Sequence, residues 1–303
     1  MDKFSTVYFS KDLDSENIYE MYTLLNRRFS HSGRTCIKVH TGELGNKNFL
    51  TADYLEDFIN KIGNATVVEC NTAYNGERNT TEKHLKLLKK HGWNRFNVEI
   101  LDDESILDLN INGKILKKNL VGKKIENYDN CIVISHFKAH PMGGFGGALK
   151  QLSIGFASSK GKQLIHGHGN LEIGRENLKN VESDNQDAFI DCMADAAASV
   201  VNYFGNEHIA YINILKNISE SCDCDSNAPE PCMKDIGILS SLDPVAIDQV
   251  SIDMIRNSND PGKDKILSRI ESRNGERILE SAEKLGIGNR SYRLVTIAET
   301  EDE

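Results

Sequence analysis

Hydrophobic and polar positions follow two alternating periods along the first third of the chain. Short apolar runs typical of buried strands, such as Thr35 to His40 and Thr66 to Cys70, are separated by longer stretches. In those stretches, such as Glu16 to Phe29 and Thr81 to His91, apolar residues recur every three or four positions. Strands that alternate with helices at this spacing predict βαβ units and a mainly parallel sheet. The sequence therefore predicts an α/β fold.

The pattern changes between Ile106 and Leu120, where Asn112-Gly113 is typical of the turn of a β-hairpin. The alternation of strands and helices resumes at Cys131. We interpret the hairpin as a boundary and predict two lobes, residues 1–128 and residues 129–303. Each lobe is expected to contain a mainly parallel sheet flanked by helices.

Composition narrows the class of partner. The net charge of −9 argues against nucleic acid or an anionic membrane surface as a partner. No apolar run approaches the roughly 18 residues that a membrane span needs, and no apolar signal-peptide stretch follows Met1. Seven cysteines, an odd number, argue against a disulfide framework. We therefore expect a cytoplasmic protein with free thiols.

The segment from His136 to Lys150 follows the predicted strand Cys131 to Ser135 and is rich in glycine. Loops at strand ends are where α/β proteins place binding and catalytic groups, and free amides at a helix start bind anions. The candidate binding residues of this loop are Gly143, Gly144, Gly146 and Gly147, together with His136 and Lys138. The alternative is a tight strand-to-helix turn that merely requires glycine.

Histidines flank this loop at His136, His140, His166 and His168. Imidazole is the commonest ligand of transition metals and transfers protons near neutral pH, although a lone histidine is usually a surface or core residue. Lys150 falls near the predicted helix start, where the helix dipole disfavours a cation without a partner. We interpret Lys150 as having an anionic or covalent partner, with solvation at the surface as the alternative.

Three cysteines, Cys222, Cys224 and Cys232, share one loop with the spacing C-x-C-x7-C. They are candidate ligands of a zinc ion, with a histidine as the fourth ligand, or of an iron–sulfur cluster. A solvent-exposed loop with free thiols is the alternative. The neighbouring Asp223 and Asp225 are expected to raise the pKa of the thiols, which disfavours nucleophilic cysteine catalysis unless a metal is bound.

Several motifs taken together resemble a family of bacterial and archaeal iron–sulfur centre proteins with a domain of unknown function. The motifs are His136 to Lys150, Gly161-Lys162 with His166, Cys222 to Cys224, Asp235 to Asp248, Lys38 to Glu43, and Asn71 to Tyr74 with Arg78. The resemblance implies an iron–sulfur centre, redox or substrate-transforming activity, and a redox partner protein. Many members carry a ferredoxin-like insert with two four-cysteine motifs, whereas Gly167 to Asn185 here contains no cysteine.

The glycine-rich loop is also distantly similar to the nickel-pincer lactate racemases. In those enzymes a His-Pro segment precedes a Gly-Gly-x-Lys whose lysine tethers the cofactor, and a later histidine ligates it or acts beside it. The resemblance makes His140, Lys150 and His166 the counterparts and implies nickel. The sequence Gly-Gly-Ala-Leu-Lys here is one residue longer than the racemase motif.

From these observations we predict a metal site in a crevice between the lobes, with His140, Lys150 and His166 as catalytic residues. His40, Glu43 and Arg78, at predicted strand ends, are expected to orient a small anionic substrate. Two further hypotheses stay open: a zinc-stabilised binding module without turnover, and a pincer-cofactor racemase or epimerase. The first hypothesis requires that the imidazoles near residue 140 and the thiols near residue 223 share one cleft.

Overall fold

A computed structural model describes residues 4–25, 33–172 and 185–297 of the chain. The strands in these residues are β1 (Ser5–Ser10), β2 (Thr35–Lys38), β3 (Ala65–Glu69), β4 (Val98–Ile100), β5 (Ile106–Asn110), β6 (Lys118–Gly122), β7 (Asn130–His136), β8 (Lys138–His140), β9 (Gly144–Gly146), β10 (Ile209–Leu215), β11 (Gly237–Ser241) and β12 (Tyr292–Thr296). Eight of them form one sheet in the order β12-β1-β11-β10-β7-β2-β3-β4. All neighbouring strands are parallel except the two pairs that include β11. The predicted α/β class with a mainly parallel sheet is therefore confirmed.

Helices flank this sheet. Those in the described residues are α1 (Ser15–Thr23), α2 (Glu56–Ile62), α3 (Thr81–Lys90), α4 (Ala148–Phe156), α5 (Ser159–His166), α6 (Gln186–Phe204), α7 (Pro244–Asn257), α8 (Lys263–Ser272) and α9 (Arg277–Lys284). The helix predicted from Glu16 ends at Thr23, and positions 26–29 of that prediction lie outside the described residues. No helix of the described segments is long and apolar enough to cross a bilayer.

The central strands β7 and β10 are buried along their whole length, as expected for parallel strands covered on both faces. Alternate residues of β7 enter two separate hydrophobic clusters. Cys131 and Val133 pack in the cluster that contains α4 and α6, and Ile132 and Ile134 pack in the cluster that contains α2. The sheet is therefore the middle layer of three, with a core on each face.

The two predicted lobes share this sheet. The strands β1 to β4 come from residues 1–128 and β7, β10, β11 and β12 from residues 129–303, and β2 pairs directly with β7. The boundary at residue 128 therefore does not separate two sheets, because sheet hydrogen bonds join the halves. The hairpin that suggested the boundary is present as the antiparallel pair β5–β6.

The order of the strands reverses between β2 and β7. From β2 the chain proceeds to β3 and β4 at one edge, and then returns to place β7 on the other side of β2, followed by β10. In open α/β sheets the crevice outside the carboxyl ends of the strands at such a reversal is the usual ligand site. Here that crevice receives His40 after β2, His136 at the end of β7, and the cysteine loop after β10.

Helix α5 was not predicted, because the segment from Lys160 to Gly169 is polar and rich in glycine. The structure shows why a glycine is present in this helix: a Cβ at Gly161 would overlap the carbonyl oxygen of Leu120. Ser158 is the N-cap of the helix, and its side chain accepts the N–H of Gly161 at 3.0 Å. Gly161 is therefore required by the close approach of β6 and does not mark a loop.

The glycine-rich loop leads into α4, and the start of α4 is capped by a distant carboxylate. Asp248 of α7 accepts the N–H groups of Ala148 at 2.8 Å and Leu149 at 2.9 Å, and the side-chain amide of Asn213 at 2.8 Å. Burial raises the pKa of Asp248 to about 6, although these donors oppose the rise. A Cβ at Gly147 would collide with this carboxylate. The glycine is therefore needed so that Asp248 can reach the helix.

Replacement of this cap should destabilise the protein measurably. Asp248→Ala is expected to lower the free energy of unfolding by about 2–4 kcal/mol, since it removes a helix cap and leaves three buried donors without their acceptor. Urea denaturation followed by circular dichroism measures the change. The matched control is Asp264→Ala in the first turn of α8, where the exposed carboxylate should contribute less than about 1 kcal/mol. Equal effects of the two substitutions would contradict the assigned role of Asp248.

Candidate metal centre

An imidazole and two thiols meet at the carboxyl edge of the sheet. One ring nitrogen of His140 and the Sγ atoms of Cys222 and Cys224 all lie within 4.8 Å of one another. His140 is the last residue of β8, in the short hairpin β8–β9 that follows β7. The two cysteines follow β10, the strand that pairs with β7. The imidazole near residue 140 and the thiols near residue 223 therefore share one cleft, as the sequence-based hypothesis requires.

Cys222 is the more acidic of the two thiols. Hydrogen bonding by Cys224 is the largest influence that holds the pKa of Cys222 well below its usual value, and Lys150 and His140 act in the same direction against burial. Lys150 Nζ lies 3.7 Å from Cys222 Sγ, and the backbone N–H of Cys224 donates to the same sulfur at 3.5 Å. These contacts therefore favour the thiolate form at Cys222 over that at Cys224, whose pKa is raised.

The expectation that Asp223 raises the pKa of its neighbouring thiols is wrong for Cys222. The carboxylate of Asp223 accepts from His136 Nδ1 at 2.9 Å and forms an ion pair with Lys138. These partners hold the pKa of Asp223 below its usual value despite its burial. The carboxylate is thus neutralised by His136 and Lys138, while the thiols contact His140 and Lys150. His136 and Lys138, predicted to bind substrate, instead position the cysteine loop.

The ring of His140 is held by its own hairpin. Its Nδ1 accepts the backbone N–H groups of Gly143 at 2.9 Å and Met142 at 3.2 Å. Burial, followed by the charge of Lys150, lowers the pKa of His140, so the ring is neutral. A neutral ring whose Nδ1 accepts carries its proton on Nε2. The ring also has a side-chain hydrogen bond with Cys222, which lowers the pKa of that thiol.

The glycines of the loop serve the backbone and do not bind an anion at the start of α4. Gly144 has a φ of +81°, and a Cβ there would lie 2.8 Å from the Cα of Gly275. The first two amides of α4 already donate to Asp248. Asp248 therefore occupies the amides at the start of α4, where the loop with Gly143, Gly144, Gly146 and Gly147 was predicted to bind an anion. The alternative, a turn that requires glycine, agrees with the structure.

A pocket of about 100 Å³ adjoins the three donor atoms. Six of the predicted site residues line it: His40, Arg78, His140, Lys150, His166 and Cys224. His166 ends α5 and stacks on the ring of Phe189, with the ring centroids 4.9 Å apart. His40 is neutral, since burial and then Arg78 lower its pKa, and its Nδ1 accepts the N–H of Gly42 at 3.1 Å.

Arg78 is already paired with protein groups. Its Nε donates to Glu43 Oε2 at 3.1 Å, its Nη2 donates to the hydroxyl of Tyr74 at 2.8 Å, and Nη1 lies 3.9 Å from Glu69 Oε1. Glu43 also accepts from Tyr74 at 3.0 Å. The guanidinium is therefore neutralised, and the expectation that Glu43 and Arg78 orient an anionic substrate is not supported by their contacts.

Cys232 lies apart from the other two cysteines of the loop. Its Sγ is 3.6 Å from the carbonyl oxygen of Ile218 and 3.9 Å from that of Gly262, and it is not one of the three clustered donors. Burial raises the pKa of its thiol. The predicted set of three cysteines is thus replaced by two cysteines and a histidine, because the loop after Cys224 leads Cys232 towards α8.

Several pocket residues were missed from the sequence. Lys38 and Glu69 are the last residues of β2 and β3 and form a buried ion pair at 2.7 Å. A charged residue at the end of an apolar strand was the available signal. Lys162, in the segment interpreted as polar and irregular, also lines the pocket.

Comparison with known proteins gives a family. The profile of the family described as "Domain of unknown function (DUF362)" matches residues 35–253, which include every predicted site residue. The lactate racemase apoprotein from Thermoanaerobacterium thermosaccharolyticum is 16% identical with a TM-score of 0.43, and the match covers 68% of this chain and 50% of that one. A Thermotoga maritima protein is 13% identical with a TM-score of 0.40, covering 90% and 60%. The chain thus spans half to three fifths of these solved chains. No curated protein matches it.

Acid should destabilise the protein through His84, a buried residue of α3 whose Nδ1 lies 3.3 Å from Asn71 Oδ1. Burial lowers the pKa of His84 to about 3. In the unfolded chain His84 therefore takes up a proton below about pH 6.5, whereas in the folded protein it stays neutral. The free energy of unfolding falls as the pH falls below that value. Between pH 7 and pH 4.5 this loss amounts to about 2–3 kcal/mol.

The measurement is urea denaturation at both pH values for the natural chain and for His84→Gln, which keeps a donor for Asn71. We expect the pH-dependent loss to be smaller in the variant by about 2–3 kcal/mol. Identical losses in the two proteins would show that His84 does not stay neutral in the folded state.

Proposed function

The chain belongs to the DUF362 family, and we propose that it is a metal-dependent enzyme. A single divalent ion would bind at Cys222, Cys224 and His140 and act on a small molecule in the adjoining pocket. The observation that carries this proposal is the meeting of two sulfurs and an imidazole within 4.8 Å beside a pocket with further titratable groups. Such a combination is the usual mark of a catalytic site.

The donor set favours a single ion. Two thiolates and one imidazole suit zinc, and three protein ligands leave a fourth position for water or substrate, as in catalytic zinc sites. Nickel is the second candidate, because imidazole also suits it. An iron–sulfur cluster is commonly held by four thiolates, and Cys232 is not among the clustered donors. A bound ion would polarise a substrate oxygen or lower the pKa of a bound water.

The three donors should differ in importance. Metal ligands bind in their deprotonated form, and Cys222 is already a thiolate stabilised by Lys150 at 3.7 Å. His140 has its proton on Nε2 because Nδ1 accepts two amides. Binding through Nε2 requires this proton to leave or the ring to turn. We therefore propose that Cys222 and Cys224 contribute more affinity than His140.

Other pocket residues would handle protons and charge. His40 is neutral and its Nδ1 is occupied by the N–H of Gly42, so its Nε2–H is a donor in the pocket. A neutral imidazole of this kind can polarise a substrate oxygen by donating its N–H. Lys150 balances the negative charge that accumulates on the thiolates, which answers the question raised by a lysine at a helix start.

A second candidate is thiol catalysis without a metal. The thiolate of Cys222 and the Nε2–H of His140 form a cysteine–histidine pair. The hydrogen bonds that backbone N–H groups donate to Nδ1 of His140 favour this pair over metal ligation by the ring. However, Cys222 is only 1% exposed, which restricts the approach of a substrate to its sulfur. Metal content separates the two candidates.

Protein purified without exposure to air should contain about one zinc or nickel ion per chain and no acid-labile sulfide. Cys222→Ser and Cys224→Ser should each weaken binding at least about 100-fold, because loss of a ligand exceeds the effect of losing its supporting contacts. His140→Ala should weaken binding less. Elemental analysis and competition with a chromogenic chelator measure these quantities.

Cys232→Ser is the matched control, since it removes a thiol of the same loop that lies outside the cluster. Its metal content should equal that of the natural chain. Stoichiometric iron and sulfide, or equal metal loss in Cys232→Ser, would refute the single-ion site. A metal-free protein that binds no added zinc would favour thiol catalysis.

A further inference from the structure

Among the described residues, the lysine and arginine side chains around the pocket are paired with acidic groups, with one exception. Three pairs balance their charge: Lys38 with Glu69 at 2.7 Å, Arg78 with Glu43 at 3.1 Å, and Lys150 with Cys222 at 3.7 Å. Buried charges are costly unless they are paired in this way. A cation without an anionic partner at this site therefore requires an explanation.

Lys162 is that cation. Its side chain lines the pocket, the residue is 7% exposed, and its Nζ donates to the carbonyl oxygens of Asn71 at 2.8 Å and Ala157 at 2.6 Å. Within residues 4–25, 33–172 and 185–297, no carboxylate lies within ion-pair distance of it. An ammonium group has three N–H donors, so one remains after the two carbonyls. Burial lowers the pKa of Lys162, against the opposing influence of Cys70, Asp102 and Glu69.

We propose that Lys162 binds the carboxylate of a small monocarboxylate ligand in this pocket. One unpaired cation calls for one negative charge on the ligand. The pocket walls also include the apolar side chains of Ala73, Ile154, Phe189 and Met193, which suit a short carbon chain better than a bare inorganic anion. The volume of about 100 Å³ is enough for a small ligand.

This assignment moves anion recognition from Arg78 to Lys162. Arg78 already has two carboxylates within 4 Å, whereas Lys162 has only neutral acceptors. The identification of the carboxylate as the substrate rests on the proposed function. The contact between Lys162 and a carboxylate does not, because it needs no metal ion.

The first test uses the natural chain and needs no variant. Calorimetric titration measures the affinity of the protein for propionate, for its neutral counterpart propionamide, and for inorganic phosphate. The three ligands differ in charge and in shape. Propionate should bind at least about 10-fold more tightly than propionamide, a difference of about 1.4 kcal/mol. Equal binding of the two would overturn the proposal. Tighter binding of phosphate than of propionate would overturn it as well.

The second test assigns the contact to Lys162. Lys162→Met should abolish the preference for propionate over propionamide, and Lys160→Met, an exposed lysine on the same helix, should keep it. A purely structural Lys162 would lower the melting temperature when replaced but leave the preference intact, which would overturn the proposal. Should Lys162→Met fail to fold, the comparison in the natural chain still decides.

A third arm separates this inference from the metal proposal. Cys222→Ser treated with a chelator should retain the preference for propionate. If Cys222→Ser loses the preference and Lys162→Met retains it, the carboxylate binds the ion, so this inference falls and the metal site stands. If the preference depends on Lys162 and the protein binds no metal, this inference stands and the metal site falls.

Discussion

The buried carboxylate of Asp223 is the interaction on which the site depends. Its side chain binds His136, at the end of β7, and Lys138, in β8. The backbone carbonyl oxygen of Asp223 accepts the N–H of Glu43, in the loop after β2, at 2.9 Å. It therefore joins three segments at the point where the strand order reverses. Because Asp223 stands between the two cysteines, fixing its side chain also fixes the positions of both sulfurs. The side chain of Asn46 adds hydrogen bonds to the carbonyl oxygens of Cys222 at 3.3 Å and Asp225 at 2.8 Å, which hold the same loop.

The concentration of buried charge at this edge argues for function over stability. Ion pairs such as Lys38–Glu69 contribute little net stability, because removal of two charges from water offsets most of their attraction, and apolar residues of similar volume often replace them without loss. By contrast, the central strands β7 and β10 carry no acidic or basic side chain before the last residue of β7, His136. On these two strands charge therefore begins only at the carboxyl ends, beside the pocket.

Local patterns were sufficient to predict the fold class and the location of the site. The alternation of strand and helix implied parallel strands, and parallel strands bring their carboxyl ends to one edge whatever their order. Residues that follow such strands, including His40, His140 and Cys224, therefore line one pocket. The order of the strands was not readable from the same pattern, and the predicted pair of separate lobes became one shared sheet.

The roles assigned to individual residues were harder to predict, because each depends on a partner distant in sequence. The glycine-rich loop has the composition of an anion site, but Asp248, one hundred residues later, supplies the anion from within the protein. Arg78 has the chemistry to hold a carboxylate, but Glu43 already occupies it. Lys162 shows the converse: its motif with Gly161 did not indicate a role for it, and the proposal that it binds a carboxylate rests on the pairing of the neighbouring cations. The charge that remains unpaired is therefore a better guide to function than the residue types alone.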